Sequence, residues 1–266
     1  LAIMNAALTE ESGTSGTLLT PQKFSTADIT DALVVGWRSF RALPAASMAF
    51  AGLFALIGLV LIAAVGEFGI SPMALPFAGG FMLVGPALLT GFFHLAAILA
   101  EGRKPRLFDA FAAFVHAPAG LWLVALLCAF LFLIWITDAA ILYTVMIGGD
   151  HHDLAWLINL QGRAVAFELW GMLMGSVLAF IILAVSAFSV PLLHEHRASL
   201  VQAVNASVRA VFTNFLTCIA WGLVLTGATV LSIVLLPLFT VVLPVLAYAS
   251  FDLYRKVFPL LENGGK

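Results

Sequence analysis

The chain alternates long uncharged runs with short polar stretches. Pro44 to Val65 is 22 residues without a charge, and Met73 to Ala100 contains no carboxylate, Lys or Arg. Ala117 to Thr137 holds 21 uncharged residues and is followed at once by Asp138. Glu168 to Leu193 is the fourth run, and Ala210 to Phe251 is a fifth with 42 uncharged residues. About 20 apolar residues in a helix cross the ~30 Å hydrocarbon core of a bilayer. The last run, at ~63 Å as one helix, is twice too long and must fold back. Leu235-Leu236-Pro237 is the place for that turn.

Three segments have a different period. After the helix-start signal Ser25-Thr26-Ala27-Asp28, Ile29, Leu33, Trp37 and Phe40 recur at helical spacing up to Arg41. Leu107, Phe108, Phe111 and Phe114 form a second such stripe, and Leu200, Val204, Val208 and Val211 a third. Such helices are expected to lie in the membrane interface. The pattern predicts an all-α polytopic membrane bundle of six transmembrane helices in three hairpins, each preceded by an amphipathic interfacial helix. The units run over about 26–100, 106–193 and 198–256, within one membrane domain 26–257. The first and third units align without a gap at an offset of 171, Ala32 meeting Ala203 and Arg38 meeting Arg209.

Residues 1–25 are polar and lack the basic and apolar regions of a signal peptide, so a mobile tail is expected there. Residues 258–266 form a short C-terminal tail. Gly148 to Arg163 is a polar excursion containing Asp150-His151-His152-Asp153, with Trp156 and Leu157 dipping into the interface.

Composition agrees with a membrane protein: 62% of the 266 residues are hydrophobic and 10% charged, against about 25% charged in a soluble domain. A net charge of −2 gives no basic excess for nucleic acid. The distribution of charge is more informative than its sum. All Lys and Arg except Arg163 fall on one side of the six-span trace. The positive-inside rule then puts both termini in the cytoplasm and the chain in a bacterial inner membrane. The two cysteines, Cys128 and Cys218, lie in apolar runs as small packing residues.

Few groups offer chemistry. Asp138 near the outer end of the third span and Glu168 at the start of the fourth are the candidate intramembrane acids, either as an outward-facing proton or ion site or as interfacial charges. Glu168 is also placed to pair with Arg163. His94 is the one histidine at membrane depth, and either packs in the core or binds an ion. His194, Glu195 and His196 suit a solvated helix end, or a metal site if His116 is near. Gly171-Met172-Leu173-Met174-Gly175 is a GxxxG face for close helix packing, internal or between subunits. There is no P-loop, GxSxG, HExxH or dinucleotide fingerprint. No catalytic residue, cofactor or metal is expected.

Several short motifs carry a resemblance. They are Gly36-Trp37-Arg38 before the first span, Gly85-Pro86 in the second, and Val190-Pro191-Leu192-Leu193 ending the fourth. Ala203 to Ala210 (Ala-Val-x-x-Ser-x-Arg-Ala) and the exit Tyr248 to Tyr254 complete the set. Over about residues 30–257 the chain resembles a family of uncharacterised bacterial integral membrane proteins, some of them labelled putative cytochrome c oxidase subunit I. The histidine at 94 replaces the polar or acidic residue usual in that family. A haem–copper catalytic subunit needs about twelve spans and about six histidines at membrane depth, which this sequence does not provide. The resemblance therefore implies a non-catalytic accessory or assembly subunit of a membrane complex, respiratory or photosynthetic. Its partners would be the bilayer and other membrane subunits. The alternative is a small-solute or proton transporter using Asp138 and Glu168.

Overall fold

The computed structural model describes residues 19–74, 76, 77, 85, 89–148, 162–234 and 236–260. Among them every element is helical. The helices are α1 (Thr26–Ala42), α2 (Pro44–Glu67), α3 (Thr90–Ala100), α4 (Leu107–Val115), α5 (Ala119–Met146), α6 (Arg163–Ser186), α7 (Ser189–His194), α8 (Leu200–Thr213), α9 (Phe215–Val234) and α10 (Leu236–Val257). A 3-10 turn, Ser71–Met73, follows α2.

Five helical segments are long and apolar enough to cross a membrane: Pro44–Glu67, Ala119–Met146, Arg163–His194, Phe215–Ser232 and Pro237–Val257. The expected second span is described as a helix only over Thr90–Ala100. Gly79, Gly80 and Pro86 of that span lie outside the described residues, as do the Asp150–Asp153 run, Trp156, Leu157 and Leu235. So do most of the N-terminal tail and the last six residues. The third span is longer than the uncharged run predicts. The helix does not stop at Asp138 but continues to Met146, giving 28 residues and ~42 Å. Ala, Ile, Leu and Met after Asp138 are good helix formers, and a single carboxylate does not end a helix.

The amphipathic helices form where their pattern puts them, but small residues take much of the buried face beside bulky ones such as Ile29, Phe40 and Val211. In α1 the inward positions include Ala32 and Gly36, in α4 Ala110 and Ala113, and in α8 Ala203, Ala206, Ser207 and Ala210. Trp37, Phe108, Val115, Val201 and Phe212 point out of the fold. Small residues permit close helix–helix approach, and large apolar ones suit a lipid environment. Each amphipathic helix thereby packs on its neighbours: α4 on α3, α8 on α6 and the short α7, and α1 on α10. The α1–α10 contact is the tightest. A methyl group added at Gly36 would collide with the Val245 carbonyl and stand 3.0 Å from the Ala249 nitrogen.

Two backbone breaks are closed by polar side chains. Between α6 and α7, the Ser207 hydroxyl of α8 donates to the Ala184 carbonyl at 2.8 Å and accepts from the Phe188 N–H at 3.2 Å. Asn214, between α8 and α9, donates to the carbonyls of Ala210 (3.0 Å) and Gln22 (3.2 Å) and accepts from the Phe24 N–H (3.1 Å). Buried backbone groups freed by a helix break need such partners. The break at Asn214 falls 171 residues after that at Leu43, between α1 and α2, the same offset that aligns the sequences.

Candidate functional site at the basic end of the bundle

The ends of α3, α7 and α10 meet at the end of the bundle that carries Arg103, Arg197, Arg255 and Lys256. Phe93 of α3 stacks on Phe251 of α10 at 5.5 Å between centroids. His94 of α3 and His194 of α7 meet at 5.4 Å, with ring planes at 88°.

Both α3 and α7 close in the same way. Gly102 N–H reaches Leu99 O and Arg103 N–H reaches Ile98 O; His196 N–H reaches Leu193 O and Arg197 N–H reaches Leu192 O. This is the Schellman pattern, which places the residue after the cap in the left-handed region. Gly102 (φ 75°) and His196 (φ 53°) occupy it. Each is flanked by Glu and Arg, as Glu101-Gly102-Arg103 and Glu195-His196-Arg197.

The two Glu–Arg pairs have different fates. Glu101 and Arg103 pair with each other at 2.7 Å, both well exposed. Glu195 turns inward and its side chain is only 12% exposed. Its carboxylate accepts from Tyr254 Oη at 2.6 Å and from Arg255. Arg197 donates to Tyr254 Oη (2.9 Å) and to the carbonyls of Phe258 (2.7 Å) and Pro259 (2.9 Å). Its guanidinium also lies over the Tyr254 ring at 5.6 Å. A buried ion pair is tolerable when its remaining hydrogen-bonding capacity is filled, as it is here for Glu195. The solvated helix end expected at 194–196 therefore holds for His196, which is exposed, but not for Glu195.

A second cluster lies beside the first. Lys256 Nζ stands 3.5 Å from Asp28, 3.9 Å from Asp31 and 3.7 Å from Asp252. Asp28 also accepts from the Ser25 N–H at 2.8 Å and the Ser25 hydroxyl at 2.9 Å. These donors, then the Lys256 charge, hold the Asp28 carboxyl below its usual value.

The acids of the other end stay apart. Asp138 is half-buried within α5, and Glu168 lies in the second turn of α6. Trp135 packs on Gly175, and the Tyr143 ring faces Phe167 at 6.3 Å. That register sets Asp138 level with Met172 and Glu168 level with Leu142, about 6 Å apart along the axis. No hydrogen bond or ion pair joins them, and Glu168 does not pair with Arg163. Glu168 Oε1 is buried without a hydrogen-bond partner among the described residues.

The GxxxG splits in function. A Cβ at Gly175 would stand 2.6 Å from the Trp135 ring, whereas one at Gly171 would meet nothing. His116, raised as a neighbour for the histidines, is exposed, with Nδ1 3.0 Å from the Ala112 carbonyl. Among the described residues no group of three or more His, Cys, Asp or Glu is arranged to hold a metal ion.

Residues 73–195 match the model of a family described as a predicted integral membrane protein (DUF2189). No curated protein and no solved structure matches the chain. The match bears out the resemblance to an uncharacterised membrane family and confines it to the middle of the chain. It includes His94, Asp138, Glu168 and Glu195 but not Tyr254 or Arg255, so the partners of Glu195 lie beyond it. The protein is an integral, multi-pass membrane protein.

Proposed function

We propose that the protein is a non-catalytic accessory or assembly subunit that packs against other membrane proteins. One observation carries the reading. Gly52 and Gly58 on α2, Gly171 on α6 and Gly227 on α9 each have open space where a Cβ would sit. Glycine inside a helix is about 1 kcal/mol worse than alanine, and none of these four gains a close contact among the described residues. Small residues on outward surfaces suit contact with a neighbouring helix better than contact with lipid tails. The span helices Pro44–Glu67 and Phe215–Ser232 bury only 22% of their most apolar stretch, which leaves room for such a neighbour. Respiratory and photosynthetic assemblies are the complexes to examine. Mild extraction followed by native mass spectrometry tests the reading; a strictly monomeric particle with no co-purifying protein defeats it.

The domain 26–257 and its three units are part of this reading. So is an orientation with the basic end and both termini in the cytoplasm, supported by the segregation of Lys and Arg. Labelling of cysteines introduced at residues 101–106 from the outer side of the membrane would reverse it.

Glu168 favours the second reading, a small-solute or proton transporter. A carboxyl oxygen without a donor inside a spanning helix is costly, and such residues mark ion pathways more often than packing. Flux into proteoliposomes, compared between wild type, Asp138→Asn and Glu168→Gln, decides it. Flux that is absent, or indifferent to both changes, removes this reading.

A further inference from the structure

We propose that His94 and His194 form an open two-imidazole site for a divalent transition-metal ion of the zinc or copper class, bridging α3 and α7. The inference is independent of the accessory-subunit reading.

The first ground is geometric. The ring centroids are 5.4 Å apart with planes at 88°. With each ring nitrogen about 2.1 Å from a shared ion and a tetrahedral angle between the bonds, two imidazole centroids stand roughly 5.3 Å apart. In trans across a metal they stand roughly 6.5 Å apart. The observed separation fits the first arrangement and is too short for the second, the arrangement of a bis-histidine haem.

The second ground is that neither ring is otherwise engaged. Buried or half-buried histidines in a protein core ordinarily hydrogen-bond through at least one nitrogen. His94 and His194 are half-buried, yet neither has a hydrogen-bond partner among the described residues. Imidazole is a preferred ligand for zinc, copper and nickel, and it binds them as the neutral ring.

The third ground is rigidity. The two ligands belong to different helices whose ends are fixed by Schellman closures. The α7 end is fixed further by the Glu195–Tyr254–Arg255 bonds. A site built on helices holds its geometry better than one on loops. The local field is suitable too. Asp109 and Glu101 both act on His94 electrostatically, and the opposing charge of Arg103 is paired with Glu101. Because no third protein ligand of the usual kinds is in place among the described residues, water or an exogenous ligand completes the coordination. An ion bound there joins the end of α3 to the end of α7.

The test uses the full-length chain in detergent, purified without a histidine tag and stripped with chelator. Titration with Cu2+ followed by electron paramagnetic resonance should show one ion per chain with coupling to two nitrogens. His94→Asn and His194→Asn should each weaken binding at least tenfold. His151→Asn/His152→Asn, which removes the two consecutive histidines of the polar run 150–153, should leave the signal intact. Zn2+ should also protect His94 and His194 of the wild-type chain from diethyl pyrocarbonate. This arm needs no variant, so it stands even if a substitution prevents folding. No bound ion, a signal that survives both substitutions, a signal lost only with His151 and His152, or modification unaffected by Zn2+ would each overturn the proposal.

Discussion

The Tyr254 hydroxyl donates to the Glu195 carboxylate at 2.6 Å, joining the end of α7 to the last turn of α10 across 59 residues of sequence. The same oxygen accepts from Arg197, so one phenol links an acid and a base. Replacing Tyr254 by Phe keeps the ring packing and removes both bonds. The expected loss is about 1–3 kcal/mol, read as a lower midpoint of unfolding in detergent. Glu195→Ala should cost more, about 3–5 kcal/mol, because it leaves Arg255 and Arg197 part-buried without their acid. A Tyr254→Phe protein that melts with the wild type would show the network to be energetically idle.

The two glycines of the GxxxG should behave oppositely. Gly175→Ala drives a methyl into the Trp135 ring, whose indole nitrogen is itself held by the Pro76 carbonyl at 2.6 Å. Overpacking of this kind costs about 1–3 kcal/mol. Gly171→Ala meets open space among the described residues and should raise the stability of the isolated chain by up to about 1 kcal/mol, because alanine is the better helix former. If Gly171 lies in a contact with another subunit, the same substitution should reduce co-purification of that subunit. Paired melting and pull-down measurements separate the two effects.

His196 has a backbone that glycine would prefer. At φ 53° it occupies the position held by Gly102 in the equivalent turn. His196→Gly should raise stability by about 1 kcal/mol, since a residue with a Cβ bears a penalty of that order in the left-handed region. A fall in the unfolding midpoint would mean that the imidazole makes a contact whose loss outweighs the relief.

Acid should loosen the first turn of α1. The folded-state pKa of Asp28 lies below the usual 3.8, so its contribution is complete above that value. The contribution is lost as pH falls below 3.8 through the folded value, because the unfolded chain then binds the proton more readily. Amide exchange at Ser25 and at Asp28 to Asp31 should therefore accelerate below about pH 4. In Asp28→Asn this acid-dependent step should shrink, and an undiminished step would assign it to another group.

Much of this architecture was legible because a bilayer imposes a simple rule on sequence. Uncharged runs of about 20 residues mark spanning helices whatever their neighbours, and all five long segments lie on such runs. The amphipathic stripes also marked helices correctly. Which face they bury was not legible. Hydrophobicity alone favours burying Phe108 and Trp37, but among lipids large side chains lose little by facing outward. Close approach through Ala110 or Gly36 then decides the packing. The pairing of His94 with His194 could be anticipated from their common depth near two helix ends. The inward turn of Glu195 could not. The two Glu-x-Arg sequences are alike, and only the proximity of Tyr254 and Arg255, set by the path of the last helix, separates a buried pair from an exposed one.

The first helix rests on the last. Lys256 reaches Asp28, and the Gln22 N–H bonds the Val257 carbonyl at 2.9 Å. During translation α1 therefore leaves the ribosome more than 200 residues before its partner, since the two groups are 228 positions apart. Until α10 is inserted, the small-residue face around Ala32 and Gly36 has no surface to close on. A nascent chain released early keeps its membrane helices already inserted but leaves that face uncovered. Such a fragment is the form that a membrane protease or an insertion chaperone would be able to tell from the finished protein.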